Sequence, residues 1–397
     1  MRRLFLLLLT GSLLLSGCAG GSSGVPESTG VTETSVETTA AVQATTEPAD
    51  PLRELLDSLT PEQKVGQLFI VCPELLYGTE GAVTEMTDNL ADSLSRYPVG
   101  GIILFSDNIV SPEQLLTLNR SLSTISRIPL FLSVDEEGGA VARLAQNPAF
   151  QLPTYKNAAA VGASGNPQDA WAMGSTIGQY LAEYGFNLDF APVADVNTNP
   201  RNPVIGSRSF SSDAVTAAAM AAAFTGGLNQ QGIIGTYKHF PGHGDTAEDS
   251  HSGLAVNHKT REELENCEWI PFREAGMADL VMVGHIALPQ VTGDMTPATL
   301  SHQIVSELLK GQLGFTGLVV TDSMQMGAIT GSFPSGDAAV AALTAGCDLI
   351  LMPEDLPQAF DAVLTALETG KLTWQWLDET VYRILAFKLL HGILFLP

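Results

Sequence analysis

Cysteine is scarce in this chain of 397 residues, and its spacing excludes two classes of protein. The four cysteines, Cys18, Cys72, Cys267 and Cys347, are widely separated and form no CxxC pair. They suit neither a disulfide framework nor a structural zinc site. We expect Cys72 and Cys347, which lie at or beside apolar strand-like runs, to be buried thiols. No HExxH motif occurs either, so the sequence predicts no metal site and no cofactor.

Basic residues are also few. Lysine and arginine together number 19 against 43 acidic residues, which gives a formal net charge of −24. Such a surface disfavours nucleic acid and anionic lipid headgroups, but it places no limit on a neutral substrate. The chain also lacks a GxxxxGK[ST] motif, and no GxGxxG follows the first strand-like run. The sequence therefore predicts no nucleic-acid partner and gives no sign of a nucleotide-binding loop.

A long hydrophobic run is missing from the N-terminus. The apolar stretch from Leu4 to Leu15 follows a basic start and is shorter than the ~20 residues that a membrane span needs. Its ending, Leu15-Ser16-Gly17-Cys18, resembles a bacterial lipobox. The resemblance implies cleavage before Cys18 and a lipid anchor on the extracytoplasmic face of the cell membrane. Ordinary secretion with a chance cysteine is the alternative.

Residues 19–50 contain no lysine, arginine or aromatic residue and are rich in glycine, serine and threonine. They cannot bury a core, so we expect a disordered tether between the signal, residues 1–18, and one catalytic domain over residues 51–397.

Eight short apolar runs alternate with segments of helical pattern through that domain. The runs are Gln67–Cys72, Gly100–Phe105, Leu130–Asp135, Leu188–Val193, Ile233–His239, Leu280–Ile286, Leu318–Asp322 and Leu349–Met352. The clearer helical segments are Asp169–Tyr184, Ala214–Gln230, Arg261–Met277 with a break at Pro271, Leu300–Leu313 and Gly336–Ala345. Buried parallel strands with crossover helices predict an α/β fold, a (β/α)8 TIM barrel. An open doubly wound sheet is the alternative.

Polar residues end five of these runs, where a barrel places its chemistry. They are Asp135 to Glu137, Asp195, Lys238 with His239, His285, and Asp322. A single aspartate at a strand end is usually a helix cap or a turn residue. That explanation would have to apply repeatedly, and it gives no account of Lys238 and His239.

The stretch from Lys238 to His251 holds three of the seven histidines. Pro241, Gly242 and Gly244 end the apolar run before it, so its later polar groups are predicted to lie on a loop beyond a strand's C-terminal end. Loops held by a rigid scaffold are frequent sites of catalysis.

These motifs together resemble glycoside hydrolase family 3, in particular its single-domain β-N-acetylglucosaminidases. The specific pieces are residues 133–139 (SVDEEGG) with Arg143, residues 191–195 (APVAD), residues 202–210 (NPVIGSRSF), the loop from Lys238 to His251, and residues 321–329 (TDSMQMGAI). The resemblance covers nearly all of the chain from Leu55 to Leu390.

The resemblance implies a role for each matching residue. Asp322 would be the nucleophile, and His251 would be the acid/base, oriented by Asp249. The positions implied for sugar binding are Asp135, Arg143, Arg208, Lys238 and His239. Two positions depart from the pattern: Glu136 stands where glutamine is common and Ala140 where arginine is common, which we expect to affect the edge of the sugar subsite.

The chemistry of these residue types agrees with that assignment. Hydrolysis with retention needs a carboxylate nucleophile and a second group that protonates the leaving oxygen and then deprotonates water. An imidazole with a pKa near ~6.5 can do both, although Glu136 and Glu137 compete for the role. The expected protein is a monomeric, lipid-anchored exo-glycosidase that releases terminal N-acetylglucosamine from cell-wall fragments or muropeptides. A phosphorylase, a β-glucosidase or xylosidase, and a non-catalytic sugar-binding lipoprotein remain alternatives.

Overall fold

The computed structural model describes residues 50–79, 81–247, 253–276 and 279–396. Three residues of the sequence predictions, Cys18, Asp249 and His251, lie outside the described residues, as do the predicted signal and nearly all of the predicted tether.

Eight strands occupy the eight apolar runs. They are β1 (Phe69–Val71), β2 (Gly101–Leu104), β3 (Phe131–Val134), β4 (Leu188–Asp189), β5 (Thr236–Phe240), β6 (Leu280–Val283), β7 (Leu318–Thr321) and β8 (Ile350–Leu351). Every residue in these strands is buried, as expected for parallel strands that are covered on both faces.

The strands form two parallel sheets in a TIM-barrel-like arrangement. One sheet has the order β8-β1-β2-β3-β4 and the other β7-β6-β5. Isolated parallel bridges join the edges of the two sheets. Leu188 pairs with Ile234 at one edge, and Val320 pairs with Leu349 at the other. Apart from the pair of β8 and β1, neighbouring strands are therefore consecutive in sequence, and the C-terminal ends of all the parallel strands lie on the same side.

Helices and helical turns connect the strands. The α-helices are Pro51–Asp57, Pro61–Gly66, Pro73–Tyr77, Asp88–Arg96, Pro112–Ile125, Ala158–Gly162, Pro167–Glu183, Ala214–Gln230, Arg261–Glu265, Pro289–Thr292, Gly327–Thr330, Ser335–Ala345, Leu356–Glu368 and Trp374–Leu390. The shorter 3-10 segments are Ser106–Asn108, Gly206–Arg208, Pro271–Glu274 and Ala298–Leu300. Four short strands lie outside the two sheets: Glu136–Gly138 pairs with Val141–Ala142, and Ala255–Val256 pairs with Ile286–Ala287.

Several helix boundaries agree with the sequence patterns. The predicted helix 214–230 has those same limits, and its N-cap Asp213 accepts a hydrogen bond from Thr216 N. The segment expected over 261–277 contains only Arg261–Glu265 and a separate 3-10 turn at Pro271, because proline cannot continue the hydrogen bonding of a helix. The segment expected as an α-helix over 300–313 is a π-helix, Gln303–Gln312.

The thiols of Cys72 and Cys347 are buried, as predicted, and Cys267 is partly exposed. Burial raises the pKa of Cys72 to about 11 and that of Cys347 to about 12, so both stay protonated and unreactive at neutral pH. Within the described ranges, no helix has the length and apolar character that a bilayer crossing requires.

Candidate active site

A cavity of about 430 Å³ opens at the C-terminal ends of the strands. Strand ends and the loops that follow them supply its walls. The lining residues are Ile103, Phe105, Asp135, Glu137, Val141, Arg143, Val204, Arg208, Lys238, His239, His243, Met282, Asp322, Ser323, Gln325, Met326, Leu351 and Met352. Seven residues that the sequence singled out therefore share one cavity: Asp135, Glu137, Arg143, Arg208, Lys238, His239 and Asp322.

Lys238 is the centre of a buried charge cluster. Its Nζ lies 2.8 Å from Asp135 Oδ1 and 2.7 Å from Glu137 Oε1, and its side chain is only 3% exposed. Arg208 binds the same glutamate with two hydrogen bonds, from Nε to Oε2 at 2.8 Å and from Nη2 to Oε1 at 2.7 Å. Arg143 Nη2 is 3.7 Å from Asp135 Oδ2. Lys238 and Arg208 thus hold Glu137 closely, whereas Asp135 has one close cation, Lys238, and a more distant one, Arg143, and lines the cavity.

The cluster decides the ionisation of Glu137. Burial would raise the pKa of this carboxyl, but the positive charges of Lys238 and Arg208 hold the pKa well below its usual range. The carboxylates of Asp135 and Glu137 in turn raise the pKa of Lys238, against the opposite effect of burial. Glu137 is therefore ionised at neutral pH and cannot donate a proton.

Glu136, the other competing carboxylate, does not line the cavity. Its oxygens accept hydrogen bonds from the backbone of Leu144 at 2.9 Å and of Ala145 at 3.0 Å, and from the Tyr180 hydroxyl at 2.8 Å. The side chain is fully buried, and burial raises its pKa. Glu136 therefore fixes the turn that carries Arg143. The expectation that it affects the edge of the sugar subsite finds no direct contact to support it.

Asp195, which follows the fourth apolar run, orients His239 through hydrogen bonds to its ring and its backbone. Asp195 Oδ2 lies 2.7 Å from His239 Nδ1 and accepts the His239 backbone N–H at 3.1 Å. Its Oδ1 accepts the backbone N–H of His243 at 2.6 Å. Burial would raise the pKa of Asp195, but the charges and hydrogen bonds of His239 and His243 together lower it. One buried carboxylate thus sets the position of two histidines.

A register shift brings Lys238 and His239 to the same cavity. Successive side chains of a regular strand point to opposite faces. In the pairing of β5 with β6, Lys238 is opposite Met282 and Phe240 is opposite Val283, so the register shifts across His239. Such an irregularity re-aims a side chain, and both polar groups consequently line the cavity.

Asp322 follows β7 directly and is partly exposed. Its backbone N–H donates to Val283 O at 2.9 Å, and its Oδ1 accepts the Ser323 N–H at 2.8 Å. Burial would raise the pKa of Asp322, but the charges of His239 and His285 and the Ser323 N–H lower it. No lysine or arginine of the described residues forms an ion pair with this carboxylate, which is ionised and faces the cavity.

His285 contacts the backbone next to Asp322. It is fully buried, its Nε2 lies 2.9 Å from Ser323 O, and its Nδ1 lies 2.7 Å from Thr299 Oγ1. His243 is also buried, and its Nδ1 contacts Thr246 Oγ1 at 2.6 Å. Burial, together with the charge of His239, lowers the pKa of His243. These contacts position the loops around the cavity.

Asp195 was predicted to lie at a strand end, but its role of holding His239 was not predicted. The order of the strands could have provided that assignment, since β4 and β5 follow each other in sequence and consecutive strands of a barrel are neighbours. The apolar residues Met282, Met326 and Met352 were also missed as cavity residues, because methionine beside a strand end is equally typical of a core.

The arrangement of these residues defines a class of protein. It is a TIM-barrel-like α/β protein whose strand ends surround an ionised carboxylate with several hydrogen-bonding side chains. Within the described ranges, no three histidine, cysteine, aspartate or glutamate side chains are grouped to hold a metal ion. Such a site suits a polar, neutral ligand such as a sugar.

Comparison with known proteins identifies the family. The model of the glycosyl hydrolase family 3 N-terminal domain matches residues 60–387. The chain therefore belongs to glycosyl hydrolase family 3. It is 34% identical to a β-hexosaminidase of Stenotrophomonas maltophilia over 76% of this chain and 93% of the relative. It is also 34% identical to β-hexosaminidase A of Pseudoalteromonas piscicida, over 77% of this chain and 56% of the relative.

A solved structure supports the same assignment. The family 3 β-N-acetylglucosaminidase from Paenibacillus sp. FPU-7 superposes with a TM-score of 0.79 at 39% identity, over 85% of this chain and 63% of that one. The chain thus spans little more than half of two of these relatives and nearly all of the third.

Proposed function

We propose that this protein is a retaining, exo-acting glycoside hydrolase that removes terminal β-linked N-acetylglucosamine from cell-wall fragments or related glycans. The ionised carboxylate of Asp322, which faces a cavity of hydrogen-bonding side chains, is the observation that carries the proposal. Relatives named β-hexosaminidase support the choice of sugar.

In the proposed reaction, Asp322 attacks the anomeric carbon and the glycosidic bond to the leaving oxygen breaks, which gives a covalent glycosyl-enzyme. A second group donates a proton to the leaving oxygen and then removes one from the water that releases the sugar. His251, with Asp249 as its partner, is proposed for this role. The ionised state of Glu137 supports the histidine, because this glutamate has no proton to give.

The proposed sugar-binding residues are Asp135, Arg143, Arg208, Lys238 and His239. Arg143 carries specific support. It lines the cavity beside Asp135 and its side chain is 29% exposed, so its guanidinium can donate to a bound hydroxyl or carbonyl group. Exo action on a terminal sugar is part of the same proposal, for a cavity whose lining includes the buried strand residues Ile103, Met282 and Leu351.

Two further proposals concern the whole chain. The eight strands are proposed to form one closed (β/α)8 ring. The bridges at both sheet edges and the hydrogen bonds from Asp189 N to Ile234 O and from Thr321 N to Leu349 O support closure. The protein is proposed to act as a monomer of one catalytic domain over residues 51–397, exported through residues 1–18 and tethered through residues 19–50.

The Asp322→Asn variant tests the central proposal. An amide cannot attack the anomeric carbon, so hydrolysis of an aryl N-acetyl-β-glucosaminide should fall by more than about a thousandfold. Asp361→Asn, on an exposed helix position, serves as the matched control and should keep the wild-type rate. Retention of most activity by Asp322→Asn would remove this residue from the role of nucleophile.

The same assay separates the rival functions. Release of sugar 1-phosphate when phosphate is added would identify a phosphorylase instead of a hydrolase. Faster turnover of aryl glucosides or xylosides would change the sugar assignment. A protein that binds N-acetylglucosamine without any turnover would be a non-catalytic sugar-binding lipoprotein.

A further inference from the structure

We propose that Phe105 is a positioning residue that fixes the guanidinium group of Arg143 at the cavity wall. The inference rests on the proposed function, because Arg143 is assigned there to sugar binding. The two side chains come from different loops, since Phe105 directly follows β2 and Arg143 follows the short strand Val141–Ala142. Both residues line the cavity. We call their contact the Phe105–Arg143 pair.

The pair is a cation–π contact. The guanidinium carbon Cζ of Arg143 lies over the ring of Phe105, 5.7 Å from the ring centre. A guanidinium within about 6 Å of a ring centre is attracted by the partial negative charge of the ring face. Both side chains are partly exposed, so the contact lies at the wall of the cavity rather than in the core. It therefore acts on a cation that a ligand in the cavity can reach.

The carboxylate beside Arg143 does not set the direction of its guanidinium. Asp135 Oδ2 is 3.7 Å from Nη2, which is too long for a hydrogen bond, so this carboxylate attracts the charge without fixing the guanidinium plane. Arg208 shows the difference, because two hydrogen bonds of 2.7 and 2.8 Å to Glu137 fix its plane. The flat ring of Phe105 supplies the corresponding restraint for Arg143.

Phe105 can restrain Arg143 because its own backbone is fixed. The Phe105 N–H donates to Asn108 Oδ1 at 2.8 Å, and the Phe105 carbonyl accepts the Asn108 N–H at 3.0 Å. Asn108 is buried, and its Nδ2 donates to Glu74 Oε1 at 2.6 Å and to Val83 O at 3.0 Å. A buried amide whose oxygen and nitrogen are both paired is a rigid support.

The loop that carries Arg143 is also fixed, and it is joined to the loop after β2. Glu136 Oε2 accepts the backbone N–H of Leu144, the next residue, at 2.9 Å. Asn147 Nδ2 donates to Ile109 O at 2.7 Å and so connects the two loops. Because both backbones are held, the remaining freedom lies in the Arg143 side chain, and the ring of Phe105 limits that freedom.

Loss of the ring should weaken sugar binding through Arg143. A guanidinium that samples several directions must be ordered each time a sugar binds, and ordering a long side chain opposes binding. The Asp322 carboxylate would stay in place, so the change should appear in KM and much less in kcat. Phe105→Leu keeps an apolar side chain but removes the ring face, and it should raise KM roughly 3- to 10-fold.

A double-variant cycle in the full-length, detergent-solubilised protein tests the pair. Wild type, Phe105→Leu, Arg143→Met and the double variant are compared in kcat and KM for an aryl N-acetyl-β-glucosaminide. Once Arg143 is replaced, Phe105→Leu should change KM by less than about twofold, because the group that the ring positions is gone. The urea midpoint of unfolding is measured on the same four proteins, and its loss in the double variant should be smaller than the sum of the single losses.

Tyr97→Leu is the matched control. Tyr97 precedes β2, at the end of the strand opposite Phe105, and does not line the cavity. Its ring is also partly exposed and lies under a guanidinium, with Arg96 Cζ 5.2 Å from the ring centre. This variant removes an equivalent contact and should keep the wild-type KM. Phe105→Tyr keeps the ring face and should also keep KM close to the wild-type value.

Additive effects of the two substitutions on KM would overturn the inference, because Phe105 would then act independently of Arg143. An equal rise in KM for Tyr97→Leu would overturn it as well. Absence of turnover by the wild-type protein would instead remove the proposed function. The urea midpoints would then decide alone whether the ring fixes the guanidinium, and additive losses of midpoint would overturn the inference.

Discussion

Lys238 and Lys388 show how the surroundings of a single buried lysine determine its charge. Lys238 lies between the carboxylates of Asp135 and Glu137, which raise its pKa. Lys388 has no carboxylate partner among the described residues. Its Nζ donates to Gln67 Oε1 and to Gly100 O, both at 2.9 Å, and lies 4.7 Å from the centre of the Phe131 ring. These groups precede or begin β1, β2 and β3, so Lys388 supports the end of the sheet opposite the cavity.

Lys388 predicts a pH dependence of stability. Burial lowers the pKa of Lys388 from 10.5 to about 7 in the folded protein. Between these values the unfolded chain binds more protons than the folded one, so stability rises with pH. The free energy of unfolding should increase by about 2 kcal/mol from about pH 7 to about pH 9 through this residue.

Urea unfolding of wild type and Lys388→Met at both pH values measures the effect, because other titrating groups cancel in the difference. Lys371→Met, at an exposed position, is the control and should keep the wild-type slope. Parallel pH profiles for wild type and Lys388→Met would show that Lys388 titrates normally in the folded state.

At the scale of elements, two helices meet at unusually short range. The helices are Pro167–Glu183 and Ala214–Gln230, and each places a glycine against the backbone of the other. A Cβ at Gly174 would lie 2.0 Å from Phe224 O, and one at Gly227 would lie 2.3 Å from Trp171 O. Small residues let the backbones approach, and dense packing then holds the helices over the sheet.

This contact predicts opposite effects for two adjacent glycines of one helix. Gly227→Ala should destabilise the protein by about 1–3 kcal/mol, because the added methyl group overlaps backbone atoms. At Gly226, which is exposed, the nearest atom to an added Cβ is Trp171 Cδ1 at 3.7 Å. Gly226→Ala should therefore stabilise the helix by up to about 1 kcal/mol. Thermal and urea unfolding of both variants gives the comparison, and equal effects would contradict the close approach.

At the scale of the whole molecule, the net charge of −24 would repel an anionic membrane surface. Membrane attachment would then depend on the proposed lipid at Cys18 rather than on charge. When the full-length chain is expressed in a bacterial host, Cys18→Ser should shift the protein from the membrane fraction to the soluble extracytoplasmic fraction, as followed by immunoblot. The specific activity of the released protein should equal that of the wild type. A Cys18→Ser protein that remains in the membrane fraction would contradict lipid anchoring.

The fold was more predictable than the site. Each of the eight apolar runs contains a strand, because a buried parallel strand must be apolar on both faces. The helix over 214–230 was predicted to the residue because Asp213 caps it. The π-helix at Gln303–Gln312 was not predicted, since its residues show an ordinary helical pattern.

By itself, the sequence determined which residues are available for chemistry: polar side chains end successive strands, and in a parallel α/β fold these ends meet at one edge. Only the tertiary structure decided their states. Glu137 is ionised and paired with Lys238 and Arg208, Glu136 accepts hydrogen bonds from the backbone of Leu144, and Asp322 is ionised and faces the cavity. The physical reason is that a carboxyl group takes its charge and direction from neighbours that are distant in sequence, which no local pattern records.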